Sequence, residues 1–253
     1  MGRMATLAYG IVCYFVFSLT FLYTIAFVGD FLVPRTIDSA RATPAALAWL
    51  IDIGLLGLFA VQHSGMARHG FKRWVTKWMP VPIERSTYVL LSSLVIILMF
   101  WQWRPLPKTV WDVQATWAYW LLYALFAFGW FMVLSSTFVI DHFDLFGLRQ
   151  TWLKARGRDY TPPEFKDHLY YRLIRHPLLL GFVIAFWAIP RMSVGHLLFA
   201  VATTGYMLLA IQLEERDLIA AHGEEYRRYR KEVPMMCPWP RPRRAAEEGT
   251  HAA

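Results

Sequence analysis

Long apolar runs separated by short polar segments dominate the hydropathy pattern of this chain. A hydrocarbon core of ~30 Å needs about twenty helical residues. The runs that approach or exceed this length cover residues 7–28, 45–62, 84–103 and 117–140. Two further runs, 178–189 and 195–213, are separated by a tight break at Pro190. The pattern predicts an all-α integral membrane protein with five to six transmembrane helices, the last two forming a helical hairpin.

The two arms of this hairpin differ in length. The first arm has about a dozen residues, or ~18 Å at 1.5 Å per residue, so it crosses the bilayer fully only if residues 170–176 extend it. The second arm is expected to continue as a helix to His222, where Gly223 is a natural helix stop. A short amphipathic helix over residues 224–231 follows and ends before Pro234. The sequence thus predicts a cytosolic, helical C-terminal segment.

Composition supports a membrane protein. Of the 253 residues, 57% are hydrophobic and 17% are charged, and the mean hydropathy is +0.34. A soluble domain is about half apolar and about a quarter charged. The two cysteines, Cys13 and Cys237, form no CxxC pair and no Cys/His cluster, so neither a disulfide framework nor a metal site is predicted. The first apolar run is too long for a signal-peptide core and is interpreted as a retained span.

The basic residues give the expected orientation. The formal net charge is +8, but the basic residues flank apolar runs instead of lining one soluble face, which argues against nucleic-acid binding. Of 26 Lys and Arg residues, 20 lie in segments 63–85, 141–177 and 214–253. Since positive loops stay in the cytoplasm, these segments and both termini are expected there. Every motif described below lies on that side. The sequence predicts no oligomeric state.

One polar constellation is expected at the open end of the hairpin. Antiparallel arms bring Arg175 and His176 to the same side as Glu214 and Glu215, offset by ~9 Å along the helix axis. A cation, an imidazole and two carboxylates therefore meet at the membrane surface. Such a set is typical of a site for a zwitterionic small molecule.

Two tyrosines complete this constellation. Tyr226 and Tyr229 are three residues apart on one helical face and can fold over the gap. The structural alternative is that Arg175 binds a lipid headgroup and that the glutamates pair with Arg216 or Arg228. Composition by itself leaves both interpretations open.

The C-terminal block resembles the isoprenylcysteine carboxyl methyltransferase family and the related phospholipid methyltransferases. The elements that carry the resemblance are Arg175-His176-Pro177-x-x-x-Gly181, Glu214-Glu215, Gly223-Glu224-Glu225-Tyr226-x-x-Tyr229 and Val233-Pro234. Leu179 stands where that family usually has tyrosine. The resemblance implies that S-adenosylmethionine binds at the cytosolic face. The cofactor-binding residues it implies are Arg175, His176, Pro177, Leu180, Gly181, Glu214, Glu215, Tyr226, Tyr229 and Pro234.

The front half resembles the NnrU-type membrane proteins and, more closely, the bacterial methanethiol S-methyltransferases. The elements that carry this resemblance are His63-Ser64-Gly65-Met66, Glu84-Arg85-Ser86-Thr87-Tyr88 and His142-Phe143-Asp144-Leu145-Phe146-Gly147. It implies transfer of a methyl group from S-adenosylmethionine to methanethiol, giving dimethyl sulfide, in a bacterial inner membrane. The alternatives are a carboxyl or lipid methyltransferase of the same fold and a non-enzymatic NnrU-type assembly factor.

These resemblances also imply a division of the chain. Residues 1–143 are expected to form the acceptor side and residues 144–240 the cofactor side. A disordered tail is expected over residues 241–253.

A thiol acceptor adds a requirement that a carboxylate acceptor does not have. Thiols are mostly protonated at neutral pH, and the nucleophile is the thiolate, so a base is needed. His142, with Asp141 beside it, is the first candidate and His63 the second, while Tyr88 is a candidate hydrogen-bond donor to the sulfur. The alternatives are an ordinary helix-end histidine and an interfacial tyrosine.

Substrate size sets a further expectation. Methanethiol has two heavy atoms, so binding supplies at most ~3 kcal/mol at about 1.5 kcal/mol per atom. A small apolar hole is therefore expected between the spans. A prenylated substrate would need a wide opening to lipid, and large side chains near the cofactor are expected to close it. These are Phe138, Phe143, Phe146 and Trp187.

Overall fold

Ten helices and one small sheet make up the described part of the chain. The computed structural model describes residues 2–39, 41–162 and 169–237, so the predicted tail 241–253 lies outside the described residues. The helices are α1 (Arg3–Gly29), α2 (Ala45–Ala67), α3 (His69–Val75), α4 (Val81–Gln102), α5 (Thr116–Ile140), α6 (His142–Leu145), α7 (Leu148–Ala155), α8 (Pro177–Trp187), α9 (Val194–His222) and α10 (Glu224–Glu232). A 3₁₀ turn covers Leu169–Arg172.

Five of these helices are long and apolar enough to cross a membrane. They are α1, α2, α4, α5 and α9. All five coincide with predicted apolar runs, because twenty apolar residues in sequence have few stable alternatives to a spanning helix. The remaining run, 178–189, forms α8, whose 11 residues span only ~16 Å at 1.5 Å per residue. The prediction of a multi-pass, mostly helical membrane protein is confirmed.

The C-terminal helices also have the expected bounds. α9 runs to His222 and ends at Gly223, whose positive φ of 56° suits a residue without a Cβ. α10 begins at Glu224, directly after this stop.

A two-stranded antiparallel sheet corrects the all-α prediction. Strand β1 (Thr109–Asp112) follows α4, and strand β2 (Arg191–Ser193) joins α8 to α9. Thr109 pairs with Ser193 and Asp112 with Arg191. Strands of four and three residues are too short to show an alternating pattern, so only their tertiary pairing defines them. The sheet fastens the end of α4 to the loop between α8 and α9.

A cluster of buried aromatic side chains lies toward the end of the bundle that carries this sheet. Side chains from the sheet-side ends of α1, α4, α8 and α9 meet those from α5. The buried ones are Phe27, Phe100, Trp103, Phe126, Trp130, Phe186 and Phe199. Large aromatic rings supply most of the contact area in such cores. The cavity described below reaches this cluster, where Phe27, Phe100, Phe186 and Phe199 line it, and extends toward the opposite end of the bundle.

Two glycines allow α5 and α8 to approach closely. A Cβ on Gly181 would lie 2.8 Å from the carbonyl oxygen of Gly129, and a Cβ on Gly129 would lie 2.7 Å from that of Gly181. Gly129 also faces Ala185 and Gly181 faces Val133, so the two helices run antiparallel. Small residues that let backbones approach are typical of membrane helix pairs. The C-terminal end of α5 therefore lies beside the N-terminal end of α8.

The segment after α5 is held against α1 and α4. Gly147 has φ 86° and packs on Ser86, whose Oγ donates to the Gly147 carbonyl at 3.1 Å. Arg85 Nε donates to the Leu145 carbonyl at 2.8 Å. On the other side, Gly10 of α1 leaves room for a threonine of α7. These contacts fix α6, and with it His142, inside the bundle.

Candidate active site

A single cavity of about 950 Å³ joins the C-terminal block to the front half of the chain. Its walls come from α1, α2, α4, α5, α6, the 3₁₀ turn, α8, α9 and α10. The titratable side chains in its lining are Tyr14, His63, Arg85, Tyr88, His142, Tyr171, Arg175, His176, Tyr206, Glu214, His222, Tyr226 and Tyr229. The cavity is larger than the small apolar hole expected for methanethiol, because it includes the space beside the C-terminal block as well.

Glu215 is the centre of a buried charge network. One of its oxygens accepts from Arg175 Nε at 2.8 Å and lies 3.2 Å from His176 Nε2. The other accepts from Arg230 Nε at 2.9 Å. Glu215 is 2% exposed, and a carboxylate so buried is stable only when its lone pairs are used. Glu215 therefore holds α8, α9 and α10 together, although the arms were expected to be offset along the axis.

The chain after α10 is tied to the start of α8. The backbone N–H groups of Arg175 and His176 donate to the carbonyls of Pro234 (2.9 Å) and Met235 (3.0 Å). Arg175 Nη1 donates to the carbonyls of Arg230, at 2.9 Å, and Val233. Pro234 thus contributes a carbonyl that fixes the site and lies outside the described lining.

Glu214 differs from its neighbour. Its side chain is 55% exposed and lines the cavity, and its carboxylate is 3.8 Å from His176 Nδ1. The alternative pairing of the glutamates with Arg216 or Arg228 is replaced, for Glu215, by pairing with Arg175 and Arg230. The Glu215 carboxylate therefore stabilises the arrangement of the helices, whereas the Glu214 carboxylate faces the cavity.

Three other residues of the block lie outside the described lining. Pro177 is the first residue of α8, a position where its missing N–H costs nothing. Gly181 faces α5, and the Leu180 N–H donates to the His176 carbonyl. The leucines that do line the cavity here are Leu178 and Leu179.

Three tyrosines surround the C-terminal part of the cavity. Burial raises the pKa of Tyr171 and of Tyr226, so both hydroxyls are neutral at physiological pH. Tyr229 donates its hydroxyl to the Tyr171 carbonyl at 2.6 Å, and the Tyr226 and Tyr229 rings are 5.7 Å apart. Their rings give this part of the cavity an aromatic wall.

His142 is held by two hydroxyls and a ring. Tyr14 Oη lies 2.7 Å from Nε2, Thr137 Oγ1 lies 2.7 Å from Nδ1, and Phe138 stacks on the imidazole at 4.2 Å. Burial lowers the pKa of His142, while Asp141 acts weakly in the opposite direction. Asp141 accepts a hydrogen bond from a backbone N–H of α6 and lies outside the described lining. His142 is therefore neutral at physiological pH.

His63 and Tyr88 form a second pair in the cavity wall. The Tyr88 hydroxyl is 2.9 Å from His63 Nε2 and 3.0 Å from Nδ1. Phe59 stacks on the imidazole at 5.0 Å, and the Arg85 guanidinium lies 5.1 Å from the centre of the Tyr88 ring. The four residues predicted for the acceptor side are thus divided between two neighbouring clusters.

The sequence that builds this site matches a known protein family. The family model described as NnrU protein matches residues 52–232, more than half of the chain. The chain belongs to the NnrU protein family. The match runs from within α2 to the end of α10 and so includes His63, His142 and Glu215. It leaves out α1, which carries Tyr14.

Among single relatives, this NnrU protein is similar to curated methanethiol S-methyltransferases. The one from Mycobacterium tuberculosis is 56% identical over 240 residues, covering 95% of this chain and 98% of the relative. The one from Crocosphaera subtropica is 51% identical over 239 residues, covering 94% of each. Nurim from Homo sapiens is 34% identical over 187 residues, or 70% of each chain. No solved structure matches the chain.

Two residues that line the cavity of this NnrU protein, Tyr14 and Tyr171, are not indicated by any sequence motif. Tyr14 lies within the first apolar run, where an aromatic residue is ordinary and nothing distinguishes it. Tyr171 lies in the segment before Arg175 that was considered only as a possible extension of the hairpin. Both become visible once separate elements meet around one cavity.

The four bulky side chains expected to close the site have different positions. Phe138 and Phe146 line the cavity, and Phe143 packs on Tyr14 with ring centres 6.0 Å apart. Trp187 instead donates its indole N–H to Thr204 at the far end of α8.

Proposed function

We propose that this membrane protein methylates the sulfur of methanethiol with S-adenosylmethionine, giving dimethyl sulfide and S-adenosylhomocysteine. The observation that carries the proposal is the single cavity in which Glu214, the tyrosines of the C-terminal block and His142 meet. The similarity to curated methanethiol S-methyltransferases supports the same reaction.

The cavity residues fit the methyl donor by their chemistry. The Glu214 carboxylate suits an ammonium group, and the Tyr226 and Tyr229 rings suit an adenine and a cationic sulfonium. Leu178 and Leu179 add apolar surface. When bound, S-adenosylmethionine supplies a methyl group on a positively charged sulfur. Arg175 and Glu215 are assigned a positioning role, because each neutralises the other inside the protein.

On the acceptor side, His142 is assigned the role of base. A base with a pKa somewhat below neutral pH is unprotonated and able to accept the proton of a thiol. Asp141, next to it, stabilises the imidazolium that forms. Tyr88 and His63 form part of the acceptor wall, where the Tyr88 hydroxyl is placed to orient the sulfur.

We further propose that the site faces the cytoplasm of a bacterial inner membrane. On this arrangement α8 and α9 form a hairpin with both open ends cytoplasmic, followed by a cytosolic segment that completes the cofactor site. The density of Lys and Arg in segments 63–85, 141–177 and 214–253 supports this orientation. Residues 1–143 then form the acceptor side and 144–240 the cofactor side.

The test is headspace detection of dimethyl sulfide from membranes containing the protein, given methanethiol and S-adenosylmethionine. We expect product above that of membranes carrying the Glu215→Ala variant, whose cofactor block is disrupted. Absence of product, with the wild-type chain present in the membrane, would overturn the proposal.

A second candidate is methylation of a larger acceptor, such as a lipid or an isoprenylcysteine carboxylate. The cavity volume favours it, as does Phe138, which lines the cavity and is 56% exposed. Methyl label recovered in lipid or in a base-labile ester would support this candidate.

The remaining alternative is a non-enzymatic membrane assembly role, which requires no S-adenosyl ligand. A ligand that binds only the folded state raises its thermal midpoint. Failure of S-adenosylhomocysteine to raise the midpoint of the purified protein would favour that role.

A further inference from the structure

We propose that Tyr14 is a catalytic residue of this site, one that accepts the proton of the thiol while passing its own hydroxyl proton to Nε2 of His142. This inference rests on the proposed thiol methylation. It concerns a residue outside the segment that the family model matches.

The hydroxyl of Thr137 decides which nitrogen of His142 carries the proton. Thr137 has a single hydroxyl hydrogen, and it is directed to the Leu134 carbonyl at 2.6 Å. The Thr137 oxygen, 2.7 Å from His142 Nδ1, must therefore accept a hydrogen bond from that nitrogen, so Nδ1 is protonated. Nε2 then carries the lone pair, and the Tyr14 hydroxyl at 2.7 Å must donate to it.

This arrangement covers the basic nitrogen of His142. The lone pair of Nε2 points at Tyr14 Oη, so the base is reached through that hydroxyl. Phe138 stacks on the imidazole with an interplanar angle of 5°, and Phe146 contacts the imidazole edge-on with ring centres 4.9 Å apart. Tyr14 and His142 both line the cavity, and the oxygen of Tyr14 retains lone pairs that can accept a hydrogen bond from S–H.

The proton transfer balances without any further reactant. The S–H bond breaks and its electron pair stays on sulfur as the thiolate. The proton joins Tyr14 Oη while the original Tyr14 proton moves to Nε2. Tyr14 ends neutral, and His142 ends as an imidazolium with Nδ1–H still donated to Thr137. The imidazolium later loses its proton to solvent.

Within the described residues, the charges nearest to His142 in the chain are those of Asp141 and Asp144. Asp141 precedes it in the chain, and Asp144 on the same short helix is paired with Arg149 at 2.9 Å. The remaining contacts described above are hydroxyls and rings from α1, α5 and α6. Asp141 is therefore the principal charge that favours the imidazolium.

The first experiment needs neither cofactor nor turnover. In the purified protein, selectively labelled with ¹⁵N-histidine, we expect the resonances of His142 at pH 7.5 to report a neutral ring protonated at Nδ1. Tyr14→Phe should move the Nε2 resonance, because it loses a hydrogen-bond donor. A neutral ring protonated at Nε2 in the wild-type protein would overturn the inference.

The second experiment compares rates. Tyr14→Phe keeps the ring and should lower turnover of methanethiol at pH 7 by about 100-fold, within the range for a lost acid–base group. The loss should shrink as pH rises, and it should be much smaller with methaneselenol, which is more acidic. Tyr9→Phe, on the same helix and bonded to Thr87 at 2.9 Å, is the matched control and should leave the rate unchanged.

The outcomes separate this inference from the proposed function. If the wild-type protein methylates no thiol, the proposed function fails. If it does and Tyr14→Phe is fully active, or loses the same factor with thiol and selenol at every pH, Tyr14 is not a proton carrier. The Tyr14→Phe/His142→Ala double variant should be no slower than His142→Ala, since residues that act as a unit are not additive.

Discussion

The two ends of the cavity hold their histidines in opposite ways. At the proposed cofactor end, His176 shares the buried carboxylate of Glu215 with Arg175 and Arg230. At the proposed acceptor end, His142 is bonded to the hydroxyls of Tyr14 and Thr137 and stacked on an aromatic ring. The first environment is ionic and the second is neutral.

This difference matches the ligands proposed for each end. A charged methyl donor requires fixed charges, and charges buried in a membrane protein persist when they compensate each other. A small thiol offers no charge, so the acceptor end needs a group that can take a proton and otherwise stay neutral. The comparison teaches that one cavity can have two electrostatic characters when different helices build its ends.

The largest expected effect comes from breaking the ionic end. Glu215→Ala leaves Arg175, with a side chain 6% exposed, buried without its carboxylate. Removing one partner of a buried pair costs about 3–5 kcal/mol, so the thermal midpoint in detergent should fall and cofactor binding should be lost. Glu224→Ala is the control, because Glu224 is exposed. Equal midpoints for the two variants would contradict the structural role of Glu215.

At the neutral end, substitution of His142 should change the turnover rate and not the thermal stability. His142→Ala is expected to lower turnover at neutral pH by about 100-fold, or ~2.7 kcal/mol, with partial recovery as pH rises. Cofactor affinity, measured by calorimetry, should be unchanged. His63→Ala is the comparison, and a larger pH-dependent loss in that variant would transfer the role of base to His63.

The next prediction concerns the close contact between Gly181 of α8 and Gly129 of α5, which brings the two ends of the cavity together. Gly181→Ala places a Cβ 2.8 Å from a backbone oxygen of α5, and such overpacking costs about 1–3 kcal/mol. Gly205→Ala on α9 has open space and should be neutral or slightly stabilising. Both are measured by thermal midpoint and by turnover. A neutral result at Gly181 would mean that α5 and α8 pack less closely than described.

Glu214 should separate binding from stability. Glu214→Gln removes a partly exposed charge, and we expect the cofactor dissociation constant to rise about fivefold, or ~1 kcal/mol. The thermal midpoint without ligand should stay close to that of the wild type. An unchanged dissociation constant would remove Glu214 from the cofactor site.

The smallest expected effect is on the pH dependence of turnover. Because the pKa of His142 is lowered, the base stays neutral down to pH values below the ordinary 6.5 of histidine, and turnover falls only below that. Asp141 raises this pKa, so Asp141→Asn should move the acid limb of the turnover profile to still lower pH. A shift to higher pH would contradict the assignment.

Much of the fold was readable from the sequence. The five spanning helices, the stop at Gly223 and the short helix after it follow from apolar run length and from helix-ending residues. The sheet was missed because its strands have only a few residues each. The meeting of Arg175 and His176 with Glu214 and Glu215 was readable from the antiparallel arms of the predicted hairpin. The separate roles of Glu214 and Glu215 were not readable, since adjacent residues with the same side chain differ only in what surrounds them.

The sequence by itself determined that the chain crosses a membrane and which segments carry charge, because the bilayer admits few structures and penalises unpaired charge. Tertiary structure alone decided which partner each polar group has. The bond between Tyr14 and His142 joins residues 128 positions apart, and the one between Arg175 and Glu215 joins residues 40 apart. A hydrogen bond between separate helices forms only when its two atoms are placed to within a few tenths of an ångström. Hydropathy patterns do not contain that information.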